Sequence, residues 1–189
     1  MTQPIDISQP PDAIDVIDVI DNIVGLTPGS PLRTLRHQRD KVAVATQGSY
    51  DAMFDAAVDG LSVTERLLVA LHACSLSQSQ ALSARYRSRL MALDVDPELL
   101  AMAESPSTVS VEASAAVHPR LQAMLAFTRT LITNPIAGDK LALMKLTQAG
   151  LTTPAIVALA QLIAFLSYQL RVVAGLTAMK EAETEGVKA

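Results

Sequence analysis

Few side chains in this chain are equipped for chemistry. Cys74 is the single cysteine among 189 residues, and it lies between Ala73 and Ser75, well inside an apolar stretch. A reactive thiolate needs a helix N-terminus or a neighbouring cation to lower its pKa. Cys74 has neither by position, so it reads as a small buried hydrophobe. His72 lies two positions away, about 200° around a helix at roughly 100° per residue, and points elsewhere. By helical spacing His72 shares a face with Glu65, Leu68, Ser75, Ser79, Leu82 and Tyr86. Such a face reads as a pocket wall or as a subunit interface with a few satisfied polar groups, which makes His72, Glu65 and Tyr86 candidates for catalysis beside Cys74 as the one thiol. In the last third, Tyr168 and Arg171 form an i, i+3 pair within an apolar stretch. An arginine there needs an anionic or carbonyl partner, so these two are candidates for a ligand pocket or an interface pair.

Other chemistries lack their residues. The three histidines are scattered, with no paired carboxylate or cysteine at metal-ligand spacing, and no metal site is expected. The turn cluster Leu26 to Pro31 has Gly29 within it and Gly25 before it, but not the lysine of a phosphate loop. No Gly-x-Ser-x-Gly elbow occurs. No cofactor is expected.

The elements that must position these groups read as helices throughout. Ile14, Ile17, Ile20 and Ile23 recur every three residues beside a stripe of Asp12, Asp15, Asp18 and Asp21, which predicts a short helix with a solvated acidic face. An irregular calcium loop would need a turning glycine that this stripe lacks. A second helix is expected from Pro31 to about Phe54; its basic group, Arg33, Arg36, His37, Arg39 and Lys41, reads as a wet face or an anion contact. Ser62 with Glu65 forms a capping box that opens a helix expected over Val63 to Leu93. Glu104 to Val117 reads as a connector. Further helices are expected over Pro119 to Thr133 and Asp139 to Ala149. The last opens at Thr153 as N-cap with Pro154 first inside and runs to about Lys180, before a fraying tail. No stretch has the alternation of a strand. Leu61-Ser62 before Val69-Ala70-Leu71 echoes Leu151-Thr152 before Val157-Ala158-Leu159, as in a bundle of two similar halves.

Composition narrows the classes. The chain is 50% hydrophobic and 18% charged, against about 25% charged in ordinary soluble domains, so apolar surface is left over for a partner to cover. A homo-oligomer is expected. A net charge of -4 lacks the basic footprint of a nucleic-acid binder. The apolar run Ala155 to Leu166 falls short of the roughly 20 residues of a membrane span. The N-terminus lacks the pattern of a signal peptide, and a lone cysteine forms no internal disulfide, so a cytoplasmic protein without membrane association is expected.

Leu61-Ser62-Val63-Thr64-Glu65-Arg66 followed by an apolar helix resembles the opening of the carboxymuconolactone decarboxylase and alkylhydroperoxidase D family motif. Leu151, Ile156 to Ala160, Phe165 and Arg171 to Leu176 are similar to the terminal helix of the family's peroxidase-related members. Gly48-Ser49-Tyr50-Asp51 with Phe54 fits a branch with degenerate sites. The resemblance implies an all-α, oligomeric fold, a multi-helical bundle of two similar halves over residues 26–180, with residues 1–25 as a helical extension and 181–189 as a tail. It also implies an antioxidant association, since active members reduce peroxides with a Cys-x-x-Cys pair assisted by a glutamate and a histidine. Aligned on Leu61 to Arg66 without gaps, that glutamate falls on Leu67, the cysteines on Ser79 and Leu82, and the histidine on Tyr86. Cys74 lies five residues too early. One thiolate must attack the peroxide and a second thiol must resolve the sulfenic acid, and one cysteine cannot do both. The implied function is a structural or partner subunit, as a dimer, trimer or hexamer or beside a catalytic relative. The alternative is an enzyme acting on a small carbonyl acid, lactone or hydroperoxide near His72 and Tyr86.

Overall fold

The computed structural model describes residues 18–57, 59–105 and 118–186. The described residues contain helices and no strand: α1 Val19–Val24, α2 Pro31–His37, α3 Asp40–Met53, α4 Val63–Leu76, α5 Gln80–Ala92, α6 Pro97–Glu104, α7 Pro119–Thr133, a 3-10 turn Pro135–Ala137, α8 Lys140–Gln148 and α9 Thr153–Gly186. The all-α expectation holds. The connector expected over Glu104 to Val117 falls mostly outside the described residues, as do Asp12, Ile14, Asp15 and Ile17.

The bundle is built around α4. Its capping box forms as the sequence predicts: Ser62 Oγ accepts from Glu65 N at 3.1 Å and Glu65 Oε2 accepts from Ser62 N at 2.8 Å. From Arg66 to Cys74 every residue of α4 is buried, because α5, α6, α7 and α9 all pack against it. A helix enclosed on all sides must be apolar on all sides, and Leu67, Leu68, Val69, Ala70, Leu71 and Ala73 supply that. Its buried arginine is satisfied by carbonyls. Arg66 donates to Leu61 O, Met53 O and Asp55 O at 2.8 to 3.0 Å, which pins the loop entering α4.

The two expected halves meet in matching turns. Gly60-Leu61-Ser62 leads into α4 and Gly150-Leu151-Thr152 into α9. Both glycines are left-handed, at φ +94° and +85°, which a side chain rarely tolerates; a Cβ at Gly60 would also press on Ala155 at 3.3 Å. Both leucines are buried. Arg120 of α7 holds the two turns together, donating from Nη2 to Gly60 O at 2.7 Å, from Nη1 to Gly150 O at 3.2 Å and from Nε to Glu65 Oε1 at 2.6 Å.

Four boundaries differ from the sequence reading. The expected Pro31 to Phe54 helix breaks after His37 into α2 and α3. The expected Val63 to Leu93 helix breaks between Leu76 and Gln80, where Gln78 takes φ +55°; the serines and glutamines around it supply no apolar face to bury. Pro97–Glu104, unassigned by the sequence, is a helix capped by Asp96, which accepts from Glu98 N at 2.8 Å. The cap of α9 is Thr152, whose Oγ1 accepts from Ala155 N at 3.4 Å, so Thr153 is already helical. The helix runs past Lys180, whose ammonium donates to Val24 O and Gly25 O, both at 2.9 Å, and so caps α1.

The acidic stripe is not solvated where it is described. Asp18 and Asp21 are 8% and 5% exposed. Asp18 caps α1, accepting from Ile20 N and Asp21 N. Asp21 accepts from Arg33 Nε at 3.0 Å, Arg36 Nη1 at 2.6 Å and His37 Nε2 at 2.7 Å, while Arg36 also reaches Asp18. The basic group of α2 therefore finds its anions within the chain and locks α2 to α1.

α9 spans 34 residues, longer than its apolar run suggests. Its length and hydropathy of 1.7 would suffice to cross a membrane, yet 44% of that window is buried inside the protein. Ala155, Leu159, Leu162, Leu166, Leu170 and Val173 form the buried row, and α9 packs on α1, α4 and α7.

Arg120→Ala should destabilise the protein by about 2 kcal/mol, since it strips charge-assisted bonds from two carbonyls and a carboxylate at once. Urea unfolding monitored by circular dichroism measures this. A loss below about 0.5 kcal/mol, the size of an exposed pair, would show that the clamp does not join the halves.

Candidate functional site

α4 carries three of the four catalytic candidates, and each is engaged in structure. Both carboxylate oxygens of Glu65 are occupied, one by its own helix cap and one by Arg120. Cys74 is 0% exposed, and burial pushes its thiol well above the usual range, opposite to what a nucleophilic thiolate requires. His72 is also fully buried. Its Nδ1 lies 3.0 Å from Ala103 O; a carbonyl only accepts, so Nδ1 carries the proton. Nε2 is then a buried lone pair without a partner among the described residues. Burial lowers the ring's pKa from 6.5 to about 4, the Ala103 bond opposes this and Arg129 adds to it.

Tyr86, the fourth candidate, belongs to α5. The turn at Gln78 separates it from the face on which sequence spacing set His72. Its hydroxyl donates to Gln169 Oε1 on α9 at 2.6 Å, and both residues are 0% exposed. The phenol is held well above its ordinary range, first by burial and then by Cys74 and Tyr50, with the Gln169 bond opposing. His72 thus faces α6 and Arg129 of α7, whereas Tyr86 faces α9. Of the positions that the family motif aligns with its functional residues, Leu67 and Leu82 are buried core and Ser79 is the half-buried residue preceding α5.

Tyr168 and Arg171 are not brought together. Tyr168 lies on a groove of about 180 Å³ between α9 and the α2–α3 pair, and its hydroxyl is 3.0 Å from Thr46 Oγ1. Arg171 lines a different, open cleft of about 630 Å³ formed by Ser77 to Ala81 and the second half of α9. Among the described residues no group of three or more His, Cys, Asp and Glu could hold a metal ion.

Sequence reasoning missed several polar residues that matter. Gln169 was hidden in the apolar run of α9, and Arg120 carried no motif. Arg85 and Arg89 are one turn apart on α5, a spacing that was legible, and they line a cleft with Tyr50 and Phe54.

The likeness to known proteins is one of shape. A solved structure described as an uncharacterized peroxidase-related protein from Silicibacter sp. TM1040 superposes with a TM-score of 0.62 at 19% identity, covering 71% of this chain and 67% of that one. No family model matches the chain, and no curated protein does. The two chains share an all-α fold over the matched part.

Because His72 is neutral when folded and takes up a proton only below about pH 4, while the unfolded ring does so near 6.5, its contribution is complete above pH 6.5. It falls as the pH drops towards 4, because the unfolded state binds more protons in that window; the span amounts to roughly 3 kcal/mol. His72→Gln keeps a donor for Ala103 O and removes the titration. Unfolding free energy measured from pH 7 to 4 should therefore fall less steeply for His72→Gln than for the parent, and parallel slopes would refute the assignment.

Proposed function

We propose that this chain is a thiol-silent form of the peroxidase-related helical scaffold, serving as a structural or partner subunit instead of a dithiol peroxidase. The finer placement, in the carboxymuconolactone decarboxylase and alkylhydroperoxidase D family, rests on the resemblance of Leu61 to Arg66 and of α9. The observation that carries the proposal is the sealing of Cys74. Peroxide reduction begins with thiolate attack on the O–O bond, which releases an alcohol and leaves a sulfenic acid that a second thiol must resolve. Here the one thiol is held protonated inside α4, and the aligned cysteine positions are a serine and a core leucine.

The surface favours assembly. Leu35, Val42, Tyr168 and Met179, each at least 41% exposed, line one groove, an apolar face that a partner would cover. We place the protein in a dimer, trimer or hexamer of itself or beside a cysteine-bearing relative, in the cytoplasm. The enzyme alternative, acting on a small carbonyl acid, lactone or hydroperoxide at His72 and Tyr86, needs a path for substrate that two fully enclosed side chains do not offer.

A thiol reagent at neutral pH should label the native protein only as fast as it unfolds, and should count one thiol promptly in denaturant. Consumption of an organic hydroperoxide should stay at background and be unchanged by Cys74→Ser. Rapid native labelling, or turnover abolished by Cys74→Ser, would overturn the proposal.

A further inference from the structure

Arg85 and Arg89 project from one face of α5 over an aromatic floor. Their guanidinium carbons lie 5.6 Å from the centroid of Tyr50, and that of Arg89 also lies 4.7 Å from the centroid of Phe54. Tyr50 and Phe54 pack against each other at 5.1 Å, so the floor is fixed. With Asp51, Ala52 and Asp55 these residues line an open cleft of about 530 Å³, within the roughly 300–1,000 Å³ range of small-molecule sites.

The hydrogen bonding leaves donors in excess. Tyr50 Oη accepts from Arg89 Nη1 at 2.7 Å and from Arg85 Nε at 3.4 Å. A hydroxyl that accepts twice still has its own proton to give, and no acceptor for it is found among the described residues. No carboxylate of the described residues lies within ion-pair distance of either arginine, although Arg87 on the other side of α5 pairs with Glu104. Asp51 and Asp55 are turned to other work, accepting from Gln47 Nε2 and from Ala57 N respectively.

We propose that this cleft binds a small monocarboxylate, its oxygens taken by Arg85, Arg89 and the Tyr50 hydroxyl above rings that the guanidiniums already cover. Arginine forks match a carboxylate with paired donors, and their stacking on rings partly desolvates them before any ligand arrives. Two aspartates in the lining balance the two arginines, which favours a single negative charge over a phosphate dianion. Neither Cys74 nor His72 lines the site, which does not depend on the subunit proposal.

Benzoate titrated into the isotope-labelled full chain, followed by two-dimensional NMR, tests this. Saturable shifts are expected at the amides of Tyr50, Phe54, Arg85 and Arg89. Neutral benzamide should bind about tenfold more weakly, as should benzoate to Arg85→Gln or to Arg89→Gln, since each removes a charged hydrogen bond. Arg87→Gln should bind as the parent does. Arg89 also packs on Phe54, so if its variant unfolds, Arg85→Gln, whose contact with Tyr50 is long, decides alone. Absent or non-saturating shifts, equal binding of benzamide, equal binding of inorganic phosphate, or unchanged affinity in Arg85→Gln would each overturn the proposal.

Discussion

The structure depends on the complete enclosure of α4. Nine consecutive residues, Arg66 to Cys74, lie beneath four other helices, so each polar group on that stretch must find a partner inside the protein or cost free energy. Arg66 meets the requirement with three carbonyls, whereas His72 meets it at Nδ1 alone and leaves Nε2 without a partner among the described residues. Glu65, at the rim, gives one oxygen to its cap and the other to Arg120. Cys74 needs no partner as long as it stays a neutral thiol. The enclosure that stabilises the bundle is thus also what removes the thiol from solution chemistry.

This arrangement links fold to function through burial more than through the loss of motif residues alone. A single cysteine in an open cleft could still react with a peroxide and wait for an external reductant. A cysteine in the middle of a sealed helix cannot do so without unfolding its surroundings. His72 follows the same logic, because the low dielectric that holds its ring neutral also denies it the exchange with water that a general acid or base needs. The groups that do meet solvent, Arg85 and Arg89 above Tyr50 and Phe54, project from α5 and not from that helix.

Much of this was legible in the sequence. The helical class, the Ser62 and Glu65 capping box, the reading of Cys74 as core, and the α7 and α8 boundaries follow from local chemistry that acts over one or two turns. What was not legible depends on contacts distant in sequence. Asp18 and Asp21 look like a solvated stripe until Arg33, Arg36 and His37 are folded against them. Gln169 is unremarkable until Tyr86 arrives from the other side of the core. The break at Gln78 was missed because the serine and glutamine pattern is compatible with an exposed helix surface as well as with a turn. It matters most, since it moves Tyr86 off the His72 helix and divides the supposed pocket.

The central claim, that Cys74 is closed to oxidants, is tested most directly by exposing the native protein to hydrogen peroxide and mapping oxidation by mass spectrometry, with the protein's own methionines as internal standards. Met91 and Met144 are 62% and 46% exposed, whereas Met124 is 0% exposed. The sealed-thiol account predicts that Met91 and Met144 form sulfoxide first, while Cys74 stays reduced alongside an unmodified Met124. Sulfenic or sulfinic acid at Cys74 before the exposed methionines react would contradict it.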